Sequence, residues 1–434
     1  MSEMFKVCDL MLLVVICAVF QSGSGVVQSN SHLVFRATLY LKHPTLLDPA
    51  QQKSTHQPPK MNTTTPLTHP LLLFLSNRLL TTATAAYTHS PPLRLLALSL
   101  SISLTYLALS TFHQHIRTPG WASSTLAGAS FGVPNMLFDR LIARNWLYEN
   151  DDIEPVIPGA KQGTEKRKRS RWEWGKEVVG NTRYIGTTHE VSHVPFFHTQ
   201  DLVFGPSRWA FCLRHAVVIV ACFVLNMLMV DGQLGADREL LGDEYIAWFG
   251  RMVGGDTIQP GEIRSRVTFS VLYWGAQICF LQYFFSMAAL LDVGLGGGEV
   301  RLWRPLFGEL SDTYTIRGLW GKFWHQGIQL SIKGPAEYLT HSILHLPHHT
   351  LLSRYLKVFL AFAVSGAMHT AADYGGNISL GESGAMRFFC TQALGIMIED
   401  GVQEVWKRMG GRKGREFRGK KRGHDLDLGV CLLV

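Results

Sequence analysis

Charge is what this sequence has little of. Of its 434 residues only 17% are Asp, Glu, Lys or Arg, against 47% hydrophobic. A soluble globular chain carries about a quarter charged residues. The shortage is uneven: long runs are almost free of charge and the stretches between them are dense in it, which is the distribution a bilayer imposes. Cysteine is also sparse and unpatterned. The seven cysteines form no CxxC pair, and Cys212, Cys222, Cys279 and Cys390 sit in apolar runs. This argues against a disulfide framework or a thiolate zinc site and for small buried hydrophobes. HExxH is absent as well. His341 and His345 have the i,i+4 spacing of a zinc pair, with His348 and His349 behind, but no companion carboxylate follows and Pro347 breaks the helix. No metal site is expected. The net charge of +8 comes with no nucleic-acid motif, so nucleic acid is not an expected partner.

What the chain does have is apolar segments of membrane length. Spans are predicted over 67–86, 93–112, 209–230, 267–291, 356–372 and 385–402, with weaker segments over 122–141 and 332–346. At about 1.5 Å of rise per residue, roughly 20 residues cross the hydrocarbon. The weaker two suit re-entrant or interfacial helices. The expected fold is all-α, a polytopic transmembrane helix bundle of about eight membrane segments. Three regions are read: 1–66, a short apolar segment and a polar linker; 67–406, the membrane domain; and 407–434, a basic tail. Two cationic clusters, Lys166–Arg171 and the tail from Lys407 to Arg422, fall on one side of this span list, together with the loop carrying Arg301 to Lys322. That is the cytosolic side by the positive-inside rule. Sequons occur at Asn62 and Asn377, and the last four residues, from Cys431, have a CaaX shape with an unusual final Val434. Both patterns arise readily by chance.

Two stretches carry chemistry. In Trp320-Gly321-Lys322-Phe323-Trp324-His325-Gln326, aromatic rings and cations crowd together. An interfacial aromatic belt explains the rings but leaves His325 unexplained. In Ser365-Gly366-Ala367-Met368-His369, a histidine ends an otherwise apolar run that starts near Leu356. That places His369 roughly 20 Å into the bilayer, a depth at which an ionisable group marks function by default. Ser365 lies one turn earlier on the same face. A histidine pinned to a helix carbonyl for structure is the plainer reading. Burial keeps the ring neutral, so it can accept a proton near pH 7.

Together these stretches resemble the paired signatures of the wax-synthase-like branch of the membrane-bound O-acyltransferases, a branch common in fungi. Trp303–Leu310 (WRPLFGEL), Asn181–Thr187 (NTRYIGT) and Met397–Gln403 (MIEDGVQ) resemble further family segments in the same order. The likeness runs from about Leu71 to Trp406. It implies a multi-pass enzyme, expected in the endoplasmic reticulum, that moves an acyl group from acyl-CoA to a hydrophobic alcohol. The ester would be one of lipid or secondary metabolism. Acyl-CoA is then a co-substrate, and no cofactor is implied. His369 matches the family's catalytic histidine, and His325 matches the second polar position, which orients substrate or stabilises the oxyanion. Trp320 and Trp324 would shape the acyl-CoA entrance and Ser365 would contact substrate. Apart from the resemblance, Arg304, Arg317 and Lys322 are expected to meet the CoA phosphates, because charge-assisted contacts suit that role. Glu399 and Asp400 need basic partners. Two departures stand out. The family's glycine after the upstream arginine is Tyr184 here, and a basic tail stands where family members continue with apolar spans, so the bundle is expected to lack its last wall. The alternative is a non-catalytic membrane scaffold or a transporter. A transporter more often shows related halves, and no internal repeat is apparent.

Overall fold

The computed structural model describes residues 68–116, 120–150, 169–198, 201, 204–232, 240, 251, 253–295 and 298–409. The N-terminal apolar segment and linker, Lys166 to Lys168, most of the acidic stretch after Asp231, and the basic tail with its CaaX-like end lie outside these residues. Among them the protein is helical, with no strand. The main helices are α1 (Pro70–Tyr87), α2 (Pro91–Ser110), α3 (Trp121–Leu137), α4 (Arg171–Gly180), α5 (Arg208–Gly232), α6 (Pro260–Gly294), α7 (Gln329–Glu337), α8 (Leu351–Gly375) and α9 (Ala385–Arg408). Proline opens α1, α2 and α6, where its missing N–H would have had no partner in the helix.

Among the described residues, four helices are long and apolar enough to cross a membrane: α2, α5 over Arg208–Met229, α6 and α8. Their apolar side chains face outward. Trp209, Val217, Val220 and Leu228 on α5 and Leu96 and Tyr106 on α2 are each more than half exposed. On helices of spanning length, such surface fits contact with lipid. The protein is an integral membrane helix bundle. The expected count of about eight meets four segments that satisfy both length and apolarity. The weaker segments differ from spans in a specific way. Segment 122–141 is the 17-residue α3 running into a π-helical turn, Phe138–Ala143. Segment 332–346 is the nine-residue α7 running into a second one, Tyr338–Ile343.

Both turns follow a proline inside the helix, Pro134 and Pro335. Pro134 cannot donate to the carbonyl of Ser130, and the Thr105 hydroxyl of α2 donates to it instead, at 3.2 Å. Carbonyls released where the first π turn ends are taken up by a fully buried cation. Arg94 donates to the carbonyls of Leu141 (2.6 Å) and Trp146 (2.9 Å) and to Asn145 Oδ1 (2.8 Å). A guanidinium can be buried only where its donors are met, as they are here. The helix pairs α5/α6, α8/α9 and α3/α8 pack closely. Small residues set the approach of the last two. A Cβ on Gly366 would come within 3.0 Å of Met386, and one on Gly128 within 3.2 Å of the Ala372 Cβ.

Candidate active site

The loop between α6 and α7 is built around close backbone approaches. Gly308 donates its N–H to the Phe323 carbonyl at 2.9 Å, and a Cβ there would lie 2.4 Å from the Lys322 oxygen. Thr315 caps the short turn Ile316–Gly318, its hydroxyl accepting from the Gly318 N–H at 2.8 Å. The chain then enters a third π turn, Leu319–Phe323, closed by Trp324 N–H to the Leu319 carbonyl at 2.8 Å. The wide turn ends at an extended Trp324, which His325 follows; π turns are frequent at functional sites. From the far side, Arg183 donates to the carbonyls of Pro305 (2.7 Å) and Arg304 (2.8 Å). Arg304 is itself ion-paired with Glu190.

Helix α8 supplies the second imidazole. His369 Nδ1 lies 2.8 Å from the Ser365 carbonyl oxygen. A carbonyl only accepts, so Nδ1 carries the proton and Nε2 holds the free lone pair. The helix-carbonyl pairing foreseen as the structural reading is present, yet it occupies one nitrogen only and fixes the tautomer of the other. No protein group bonds Nε2 among the described residues. The Phe389 ring packs 4.4 Å from the imidazole.

One cavity joins the two stretches. His325, His369, Ser365, Trp320 and Trp324 line it. Both histidines are half-buried and border the cavity. Burial first, then the neighbouring His369 and the Arg183 guanidinium, push the His325 pKa down to about 4. It is therefore neutral at physiological pH. Trp320 is held by its indole N–H to Gln392 Oε1 at 3.1 Å, edge-on to Trp324 with ring centres 5.8 Å apart.

The cationic residues are divided. Arg317 lines the cavity and pairs with Asp400 at 2.6 Å. Lys322 is exposed, 3.4 Å from Asp312 and outside the cavity lining. Arg304 is buried against Glu190 and Phe196, also outside it. Asp400 finds the basic partners expected of it, accepting from Arg317 and, at 3.0 Å, from Arg354. Glu399 accepts the Arg317 backbone N–H at 3.4 Å. Sequence reasoning missed Arg354, Lys357 and Lys333, which line the cavity. The signal for Arg354 was available. Arg354, Val358, Phe362, Ser365 and His369 recur at i, i+4, i+8, i+11 and i+15, a single helical face that carries the cation and the imidazole at its two ends.

The upstream stretch makes its own turn. Tyr184 has φ +49°, the left-handed conformation that glycine adopts without steric cost. Here a buried tyrosine holds it. Its N–H donates to Asn181 Oδ1 at 2.8 Å and its hydroxyl to the Val178 carbonyl at 2.7 Å.

Comparison with known proteins accords with this geometry. Residues 303–391, which contain both histidines, match the model of the membrane bound O-acyl transferase family. The chain is 31% identical over 341 residues to the acetyltransferase fsoF of Humicola fuscoatra, covering 72% of this chain and 80% of that protein. The chain belongs to the membrane bound O-acyl transferase family. It is also similar to the acetyltransferases aurG of Calcarisporium arbuscula, 33% identical over 58% of this chain and 61% of that one, and ataH of Aspergillus terreus, 33% over 54% and 77%. No solved structure matches. The membrane bundle and this membership make the protein a membrane acyltransferase.

Proposed function

We propose that the protein transfers an acyl group from acyl-CoA to the hydroxyl of a hydrophobic alcohol, forming an ester, in the endoplasmic reticulum membrane. The acyl group is acetyl, the group named in the three relatives above. The observation that carries the reading is the two-ended cavity. Two imidazoles, His325 and His369, stand toward one end, and Arg317, Arg354 and Lys357 toward the other. Lys357 and Arg354 precede His369 by 12 and 15 positions along α8 (369 − 357 and 369 − 354), about 18–23 Å at ~1.5 Å per residue. An extended pantetheine arm separates a thioester from its phosphates on this scale, and cations suit phosphates. Arg304 and Lys322, off the cavity, have no part in this contact.

The chemistry uses the tautomer already fixed. His369 Nε2 accepts the alcohol's proton as the oxygen attacks the thioester carbonyl. An N–H of His325 donates to the oxyanion of the tetrahedral intermediate. Collapse expels the CoA sulfur, which takes the proton back from His369. The products are ester and free CoA, and no other reactant enters. Trp320 and Trp324 flank the path, and Ser365 orients His369 through its carbonyl. Membranes containing the protein, supplied with isotopically labelled acetyl-CoA and a panel of terpenoid, polyketide and fatty alcohols, should yield labelled esters by mass spectrometry. Label that enters no alcohol would overturn the proposal.

A further inference from the structure

The cavity does not extend past the imidazoles. On α8 its lining stops at His369, and none of Thr370 to Gly375 reaches it. On α9, which runs alongside, the lining begins at Phe389, and none of Ala385 to Phe388 reaches it. Packed rings lie behind Phe389, Trp320 and Trp324, which line this part of the cavity. Phe389 lies 5.1 Å edge-on from Phe388, and Phe388 lies 6.0 Å from Trp274 of α6. Trp274 in turn packs edge-on against Trp324 at 5.2 Å and Trp320 at 6.0 Å. Trp274 and Phe388 touch no part of the cavity. They stand behind the rings that do, and Trp274 reaches them from a different helix.

The geometry points to this second layer, Trp274 with Phe388, as the stop that restricts the transferred acyl group to about two carbons. The inference rests on the proposed donor. With the phosphates at Arg354 and Lys357 and the thioester carbonyl at His369, the pantetheine arm occupies the apolar length of the cavity. The acyl group then projects beyond the imidazoles toward the rings. An acetyl methyl ends there. A longer chain would have to displace Phe389 or Trp324, and these cannot recede while Trp274 and Phe388 back them. Close-packed interiors resist such insertion. A misfitting methylene in an apolar pocket is worth roughly 10- to 200-fold in discrimination. Replacing Trp274 removes the backing without touching the residues placed at the reacting atoms.

Donor binding to the full chain in lipid nanodiscs separates the possibilities and needs no acceptor. The probes are CoA, acetyl-CoA, butyryl-CoA and hexanoyl-CoA. The wild type should bind CoA and acetyl-CoA within a few-fold of each other and hexanoyl-CoA at least tenfold more weakly. Trp274→Ala, and independently Phe388→Ala, should recover most of that tenfold for hexanoyl-CoA while acetyl-CoA affinity changes little. Equal wild-type affinity for acetyl- and hexanoyl-CoA would overturn the stop. So would variants that bind acetyl-CoA yet keep the wild-type length profile. A wild type that binds no CoA species would instead defeat the donor assignment on which the inference rests. If one variant fails to fold, the wild-type profile and the other variant still decide the matter.

Discussion

At the scale of single residues, His369 and Tyr184 show how context sets a side chain's use. An imidazole that donates Nδ1–H to the carbonyl four residues earlier has a defined tautomer before any substrate arrives. The same bond that looks structural therefore leaves Nε2 free for the proposed role as base. Tyr184 is held in a left-handed conformation that costs a non-glycine residue roughly 1–2 kcal/mol. Glycine would relieve that strain, but it would also delete a fully buried ring and its bond to Val178. Large aromatic deletions cost about 3–5 kcal/mol, so the loss wins. Tyr184→Gly should lower the thermal midpoint of the purified protein, and a variant as stable as wild type would contradict the balance drawn here. Lys357 has no carboxylate partner among the described residues, unlike Arg317 and Arg354, which share Asp400. A charge-assisted contact is worth about 1.5–3 kcal/mol. Lys357→Ala should therefore raise the acyl-CoA KM roughly 10- to 100-fold, with kcat little changed, in steady-state transfer assays.

At the scale of elements, the loop from Trp303 to Gln326 behaves as one unit. It is pinned by Arg183, by the Gly308–Phe323 contact and by the π turn that presents His325. Its stability should depend on pH in a definite sense. The folded pKa of His325 is lowered to about 4 from the ordinary value near 6.5. The unfolded chain therefore binds the proton more readily, and the contribution of neutral His325 is present above about pH 6.5 and lost as pH falls toward 4. Replacing it with an uncharged isostere, His325→Gln, should flatten the thermal midpoint between those pH values relative to wild type. Equal slopes in the two proteins would refute the burial argument. These elements also mark where the sequence could be read. The α8 face was legible because a polar group closing an apolar helical run stands out, and the WGKFWHQ stretch because belt aromatics leave a histidine unexplained. The π turns were not legible. An extra backbone residue leaves no trace in side-chain pattern, and only Pro134 and Pro335, one turn upstream of two of them, hint at it. The clamp of Arg183 on the Arg304 and Pro305 carbonyls joins positions more than a hundred residues apart through groups every residue possesses. For the same reason Arg304 read as a candidate for phosphate, although Glu190 neutralises it inside the fold.

At the scale of the molecule, the bundle encloses a cavity lined by imidazoles and cations within an apolar exterior. The positive-inside argument places the segment at Arg171 and the loop at His325 on one side. Single cysteines introduced beside each, in a background lacking the native thiols, should label together in sealed microsomes. Labelling from opposite sides would dismantle the orientation.

The proposed chemistry depends on the base. An alcohol is a weak nucleophile at neutral pH, and a positioned base contributes about 10²–10⁴-fold, or ~3–5 kcal/mol of barrier. His369→Ala removes the acceptor nitrogen from an apolar helix that tolerates alanine. The decisive measurement is ester formation from labelled acetyl-CoA by His369→Ala and wild-type protein at matched membrane abundance. The account predicts a loss of at least two orders of magnitude with insertion and donor binding retained. Turnover near the wild-type rate would contradict it.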